Sequence, residues 1–338
     1  MNATARPTPH EIAAWFCAGA ALLAILALHL LPALLTGLLV FELTQILARH
    51  LARGAMATER RKMVAVALVA TAVVLLVGAA IFGAVAFFRS DQGSLTVLLG
   101  KMAEIIEGAR DKLPGWLADK LPGTTGEMRE AIGHWLREHA TELQTLGKEA
   151  GHAFAHILIG MVIGAMAALR EACAAADMAP LAAALAERIH RFAESFRRIV
   201  FAQVKISAAN TAFTAIYLAV VLPLAGIPLP LTKTLIAVTF VAGLIPVLGN
   251  LISNTVIVVV SLSHSLEAAA ASLVFLVVIH KLEYFLNARI VGAGIKASAW
   301  ELLVAMLAME AIFGVPGVVA APIYYAYLKG ELADRGLV

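Results

Sequence analysis

The apolar residues of this chain neither alternate as in strands nor thin out into simple amphipathic stripes. They gather into blocks without Asp, Glu, Lys or Arg: Ile12–Phe41, Met63–Phe88, Ala150–Leu169, Ile206–Thr232, Thr234–Leu266 and Leu302–Met309 onward. About 18 or more apolar residues without charges read as a membrane-crossing helix. A membrane β-barrel needs alternating segments of about ten residues, and these blocks do not alternate. The pattern predicts an all-α, polytopic membrane protein with about 8 hydrophobic segments. The plain ones are Glu11–Leu31, Ala33–Ala48, Met63–Phe88, Gly151–Leu169, Ile199–Leu222 and Ala268–Leu286.

The other two segments are broken. Leu231–Leu262 is 32 residues, which as one helix would be about 48 Å long against a hydrocarbon core of about 30 Å. Its centre reads GLIPVLGNLISN, Gly243 to Asn254. Pro246 removes a backbone donor there, and Gly243 and Gly249 loosen the helix on either side. Two pieces of roughly 14 residues, each about 20 Å long, suit a re-entrant hairpin with its tip inside the membrane. Leu302–Leu328 repeats the device, interrupted by FGVPG at Phe313–Gly317. Paired Gly/Pro-interrupted apolar segments point to a transporter's binding site. Pro246, Gly249, Gly314 and Gly317 are therefore candidates for the path of a small-molecule or ion substrate.

Charge sets the orientation. Arg49–Lys62 carries five Arg or Lys against one Glu, so this short loop is cytoplasmic by the positive-inside rule. Two spans before it put the N-terminus on the same side. Arg89–Ala150 has eight basic and ten acidic residues and two stretches with helical apolar spacing, and it reads as an external amphipathic insert. Arg170–Lys205 has six basic and four acidic residues. It reads as a cytoplasmic amphipathic helix that runs directly into the fifth span. If Leu231–Leu262 is re-entrant, Lys281, Arg289 and Lys296 also fall inside, as does the C-terminus. Three regions follow: 1–62, the N-terminal hairpin and basic loop; 63–170, a helix pair carrying the insert 89–150; and 171–338, an amphipathic helix and a transport core with broken segments 231–262 and 302–328.

Composition agrees. Only 14% of residues are charged, against about 25% in soluble domains. Two cysteines, Cys17 and Cys173, make no disulfide framework. The long first block is unlike a signal peptide. His152 and His156 lie one turn apart but lack the company of a metal site. No metal or cofactor is expected. No phosphate-binding loop and no GxSxG are present, so neither ATP-driven transport nor enzymatic activity is expected. No nucleic-acid partner is expected, and lipid is the surrounding medium.

Within the apolar blocks a few polar residues stand out. Glu310 lies three residues before the second break, and an intramembrane carboxylate is a functional hypothesis by default. It would hold a proton or sodium, or pair with a basic residue of a neighbouring helix. Asn250 and Asn254, one turn apart, would line a substrate path or bond the backbone that Pro246 frees. Glu283 and Asn287 share the same spacing and form a polar patch with His280 and Lys281, or a solvated helix end. Glu42 reads as a boundary residue near Arg49, and His29 as a turn residue beside Pro32.

Three stretches in the C-terminal half carry a family resemblance. Ile245, Pro246 and Gly249 form the first. Glu283, Leu286, Asn287, Ile290 and Gly292 in LEYFLNARIVG form the second. Phe313, Gly314, Gly317, Ala320 and Pro322 form the third. In order and spacing they resemble the autoinducer-2 exporter family of bacterial permeases, over about Phe192 to Leu328. The family's proline after Asn287 is Ala288 here, and Glu301 and Glu310 stand where members are mostly apolar. The resemblance implies a secondary permease of the inner membrane, with an autoinducer-2-like solute or, alternatively, sodium/proton exchange. It also implies a homo-oligomer, a pentamer being the arrangement it points to. A non-transporting scaffold and an intramembrane enzyme are the rivals of another class.

Overall fold

The computed structural model describes residues 7–51, 63–72, 137–170, 178–245, 248–262, 264–290 and 298–337, with isolated positions between 51 and 137. Among them, everything outside short turns is helix. α1 spans Pro9–Ala27, α2 Leu31–His50, α3 Ala140–Arg170 and α4 Pro180–Ile216. α5 spans Thr232–Gly243, α6 Leu248–Leu262, α7 Leu266–Ile290, α8 Ala299–Phe313 and α9 Val315–Asp334. Among the described residues four helical stretches are long and apolar enough to cross a membrane: α1, α2, Gly151–Leu169 of α3, and Pro180–Leu224. The expected third span is described only over the short apolar helix Met63–Ala72. Most of the expected insert 89–150 lies outside the described residues, as does Cys173.

Local chemistry explains the ends of these helices. Thr8 and Glu11 form a capping box at the start of α1, with each side chain bonded to the other's backbone N–H. α1 ends where His29 takes φ 55° and Leu30 N–H reaches Ile25 O at 2.8 Å. This is a Schellman closure with histidine in the left-handed position. His29 is thus the turn residue its place beside Pro32 predicts. α3 begins at Ala140 rather than near Gly151, because the polar stretch 140–150 continues the span's own helix. α4 passes unbroken from charged to apolar residues, as expected. It continues as a π-helical turn, Tyr217–Val221, in which Leu222 N–H reaches back to Tyr217 O. Pro223 follows at once; in a regular helix its ring would meet the carbonyl of Ala219, and the wider turn avoids this.

The chain forms two compact units. One comprises Met1–Val77, Gly147–Phe201 and Val291–Val338. Its core joins Phe192, Phe196 and Ile199 of α4 to Ile323, Ala326 and Tyr327 of α9. Phe192 meets the rings of Tyr324 and Tyr327 edge-on at 5.6 and 5.5 Å. In the same unit α2 and α3 touch backbone to backbone. A Cβ on Gly164 would lie 2.1 Å from Gly37 O, and one on Gly160 would lie 2.2 Å from Ala33 O. Ala33/Gly37 and Gly160/Gly164 are thus facing small-xxx-small pairs. Gly164→Ala is expected to cost about 1–3 kcal/mol as the helices part. An unchanged unfolding midpoint in detergent would contradict this packing. Outside the contact, Phe154, Leu158, Ile159, Val162, Ile163 and Met166 leave an exposed apolar face on α3, as a lipid-facing helix does.

The second unit comprises Gly78–Leu146 and Ala202–Ile290. Tyr217, Leu218, Leu235, Ile257 and Leu276 share its buried cluster. Tyr217 stacks on Phe275 at 3.8 Å. Its hydroxyl meets Ser272 at 3.1 Å, and Ser272 meets Ser261 at 2.7 Å.

Candidate functional site

Both broken segments fold as helix pairs: two short helices in the first, and a 15-residue helix followed by a 20-residue one in the second. In the first, α5 and α6 pack on each other, and a Cβ on Gly249 would lie 1.9 Å from Ala242 O. Only glycine allows so close an approach. In the second, Gly314 ends α8 at φ 65°, ψ −149°, a conformation open essentially to glycine alone. Pro316 then sits in the first turn of α9, where its missing N–H costs nothing. A Cβ on Gly317 would lie 2.0 Å from Met309 O. Gly249 and Gly317 therefore do the same thing in the two hairpins: each brings the returning helix onto a carbonyl of the helix before it. Pro246 itself lies outside the described residues.

The second hairpin is longer than the pattern predicts. A capping box of Ser298 and Glu301 starts α8 three residues early. At the other end, Glu301 accepts hydrogen bonds from Tyr325 at 2.7 Å and from Lys329. Glu301, unexpected by the family resemblance, is thus a helix cap and an ion-pair partner. Glu310 is exposed on α8 and has no ion pair among the described residues.

The orphan backbone of the first hairpin is satisfied by α4. Gln203 donates to Gly243 O at 2.7 Å, and Ser207 donates to Phe240 O at 2.7 Å. One turn on, Asn210 donates to Asn250 Oδ1 at 3.2 Å. Asn250 is thus bound to a side chain of α4, while Gln203 and Ser207 cap the hairpin's carbonyls. Asn254 is half-buried. Sequence reading missed this helix face. Gln203, Ser207, Asn210, Thr214 and Tyr217 recur at spacings of four and three, a polar stripe in an apolar span, and that spacing was the available signal. Ser207, Asn210, Thr214 and Tyr217 are buried. The side chains of Glu283 and Asn287 lie outside the described residues, though α7 runs through them to Ile290. Ala288 in place of proline keeps that helix intact.

A second cluster missed in the sequence ties the ends of the chain together. Arg188 of α4, 3% exposed, is ion-paired with Glu331 of α9, 9% exposed. Trp15 Nε1–H donates to the same carboxylate at 3.2 Å, and Arg335 pairs with Glu11 at 2.7 Å. In the same unit Glu42 is buried with Arg197 at 3.9 Å, a partner the sequence did not suggest. Glu194 is held below the usual carboxylate range, chiefly by the hydrogen bond from Arg198. Among the described residues no three His, Cys, Asp or Glu side chains gather as a metal-binding set.

Apolar spans with lipid-facing sides, glycine-hinged helix pairs and a polar stripe define a multi-pass α-helical membrane protein of the permease type. The chain belongs to the AI-2E transporter family: the family model described as AI-2E family transporter matches residues 11–333, nearly its whole length. The match thus extends beyond the Phe192–Leu328 resemblance to the N-terminal hairpin and the insert. No curated protein and no solved structure matches the chain.

Proposed function

We propose that the chain is a secondary transporter of the bacterial inner membrane that moves a small polar solute past its two broken helices. The polar stripe on α4 carries this reading. Neutral amides and hydroxyls run along a spanning helix beside the break between α5 and α6. Thr214 is 1% exposed, and its Oγ1 has no hydrogen-bond partner among the described residues, which leaves a hydroxyl for solute or water. With Gln203, Ser207 and Asn210 engaged by the hairpin, Thr214 is the group on this uncharged face that is left for a neutral, hydroxyl-rich solute of the autoinducer-2 kind. At the first break the helix lengths favour a re-entrant hairpin, whereas α9, with 20 residues, is long enough to cross. α5 has 12 residues, α6 15 and α8 15, or roughly 18–22 Å each, short of a core of about 30 Å. The N-termini of α6 and α9 then point partial positive charge into the membrane. The Glu11–Arg335 pair holds the start of α1 and the end of α9 at one charged end, in keeping with both termini in the cytoplasm. A homo-oligomer of the pentameric type is part of the same reading.

The test is flux in proteoliposomes with proton and sodium gradients imposed separately. Asn210→Leu is expected to slow solute flux about tenfold, the equivalent of one lost hydrogen bond. Flux equal to that of the parent protein, with folding intact, removes the stripe from the path. A second reading, cation/proton antiport, rests on Glu310, a carboxylate exposed on an apolar helix. It predicts that Glu310→Gln abolishes gradient-driven exchange, and exchange that survives the substitution excludes antiport through this group.

A further inference from the structure

The polar stripe on α4 ends abruptly. Gln203, Ser207, Asn210 and Thr214 lead up to Tyr217, and between residues 218 and 231 the chain carries no polar side chain. Leu218, Leu222, Leu229, Leu235, Ile257 and Leu276 close instead into the buried cluster of the second unit, in which Tyr217 is the polar member. An apolar plug therefore caps this end of the stripe, and Tyr217 stands at the boundary.

The way Tyr217 is held sets it apart from a simple filler of that core. Its ring lies flat on Phe275 of α7, 3.8 Å away with 6° between the planes. Its hydroxyl enters a chain whose direction is forced. Ser261 of α6 donates to Ile257 O at 2.8 Å, so its single hydrogen is spent. Ser272 of α7 must then donate to Ser261, and Tyr217 to Ser272. One side chain of α4 is thus fixed to α7 and, through Ser272, to α6. The backbone at this point is the π-turn Tyr217–Val221, a wide turn of the kind frequent at functional sites.

One turn below on the same face lies Thr214. Thr239 and Thr255 in the same unit satisfy their hydroxyls on the carbonyl four residues back. The buried Thr214 hydroxyl has no partner among the described residues, and leaving it so is costly. The polar face therefore stops at a hydroxyl in want of a partner, beneath an aromatic residue locked to two neighbouring helices.

We infer that Tyr217 is the outer gate of the path along α4. With the gate closed, its ring and the plug keep water and solute from reaching Thr214 from the side of the turn at 225–231, as apolar constrictions do in channels. Opening breaks the stack on Phe275 and the bond to Ser272, and it leaves the Ser272–Ser261 bond in place. The inference rests on the stripe being the solute path and on α4 running outward.

Water access to position 214 tests the gate with no solute present, so its failure is distinct from a failure of the transport reading, which is measured as flux. Thr214→Cys is placed in a chain carrying Cys17→Ser and Cys173→Ser. A charged, membrane-impermeant methanethiosulfonate is then added to either side of oriented, sealed proteoliposomes. With Tyr217 in place, labelling from the side of the 225–231 turn is expected to be slow. Ser272→Ala removes the gate's hydrogen bond, keeps both rings, and should raise the rate about tenfold, the shift in an opening equilibrium that one such bond holds. Tyr217→Ala should raise it further; if that variant does not fold, Ser272→Ala carries the test. Leu218→Ala is the control, since Leu218 is fully buried in the same cluster, and it should label as slowly as the chain with Thr214→Cys alone. Fast labelling with Tyr217 in place overturns the gate. So does an unchanged rate in Ser272→Ala and Tyr217→Ala. A Leu218→Ala rate equal to theirs also overturns it, because the core would then have loosened without a gate.

Discussion

Gly249→Val is expected to abolish transport and to destabilise the protein by more than the roughly 1–3 kcal/mol of an ordinary overpacked core. The added Cβ would start 1.9 Å from Ala242 O and 2.5 Å from its carbonyl carbon. Both are helix backbone, so no flexible side chain can give way. To reach ordinary contact α6 must retreat by more than an ångström from α5. That movement pulls Asn250 away from Asn210 and disturbs the carbonyls that Gln203 and Ser207 cap. Gly19→Val is the control, since a Cβ on Gly19 in α1 meets nothing within 4 Å. Flux and unfolding midpoint are read for both in the same detergent and lipid. If Gly249→Val behaves like Gly19→Val, the close approach at the first break is not what holds the hairpin.

The second large effect is expected at the ion pair that joins α4 to α9. Arg188→Met leaves the Glu331 carboxylate buried, with Trp15 as a neutral donor and Arg191 at 3.9 Å. Breaking a buried pair from one side costs about 3–5 kcal/mol, because the remaining charge has lost its compensation. Replacing both partners, Arg188→Met with Glu331→Leu, should recover most of that loss. Arg198→Met provides the scale at an exposed site: Arg198 is 53% exposed where it pairs with Glu194, and such pairs contribute about 0–1 kcal/mol. A double-mutant cycle by chemical denaturation measures the coupling. A single variant no worse than Arg198→Met would sink the idea.

The sequence made legible what depends on composition over short distances. Charge-free runs marked α1, α2, α3 and α4 as spans, because burial in lipid demands continuous apolarity. Pro246 with Gly249, and Gly314 with Gly317, marked both breaks, because backbone chemistry is local. The partners of the breaks were not legible. Gln203 and Gly243 are 40 residues apart, and nothing in either neighbourhood announces the other. Arg188 and Glu331 gave no signal in the sequence for the same reason, since burial of a charge is set by distant helices. The glycines of α3 sat in a plain apolar run, where GMVIG reads as lipid-facing until α2 is laid against it. α3 began early because a polar helix can run straight into a span, so a change of composition need not be a change of structure.

The Arg188–Glu331 pair also bears on how the protein is made. Its partners are separated by 143 residues of chain. At the usual pace of synthesis, about 5–20 residues per second, the arginine emerges roughly 7–30 s before the carboxylate that neutralises it. During that interval the guanidinium has, among the described residues, only its chain neighbour Glu187 as counter-charge, so the buried pair between α4 and α9 is completed last. A product cut short before Glu331 lacks the α9 partner of this charge and keeps only the exposed carboxylate of Glu187 beside it, at 3.1 Å.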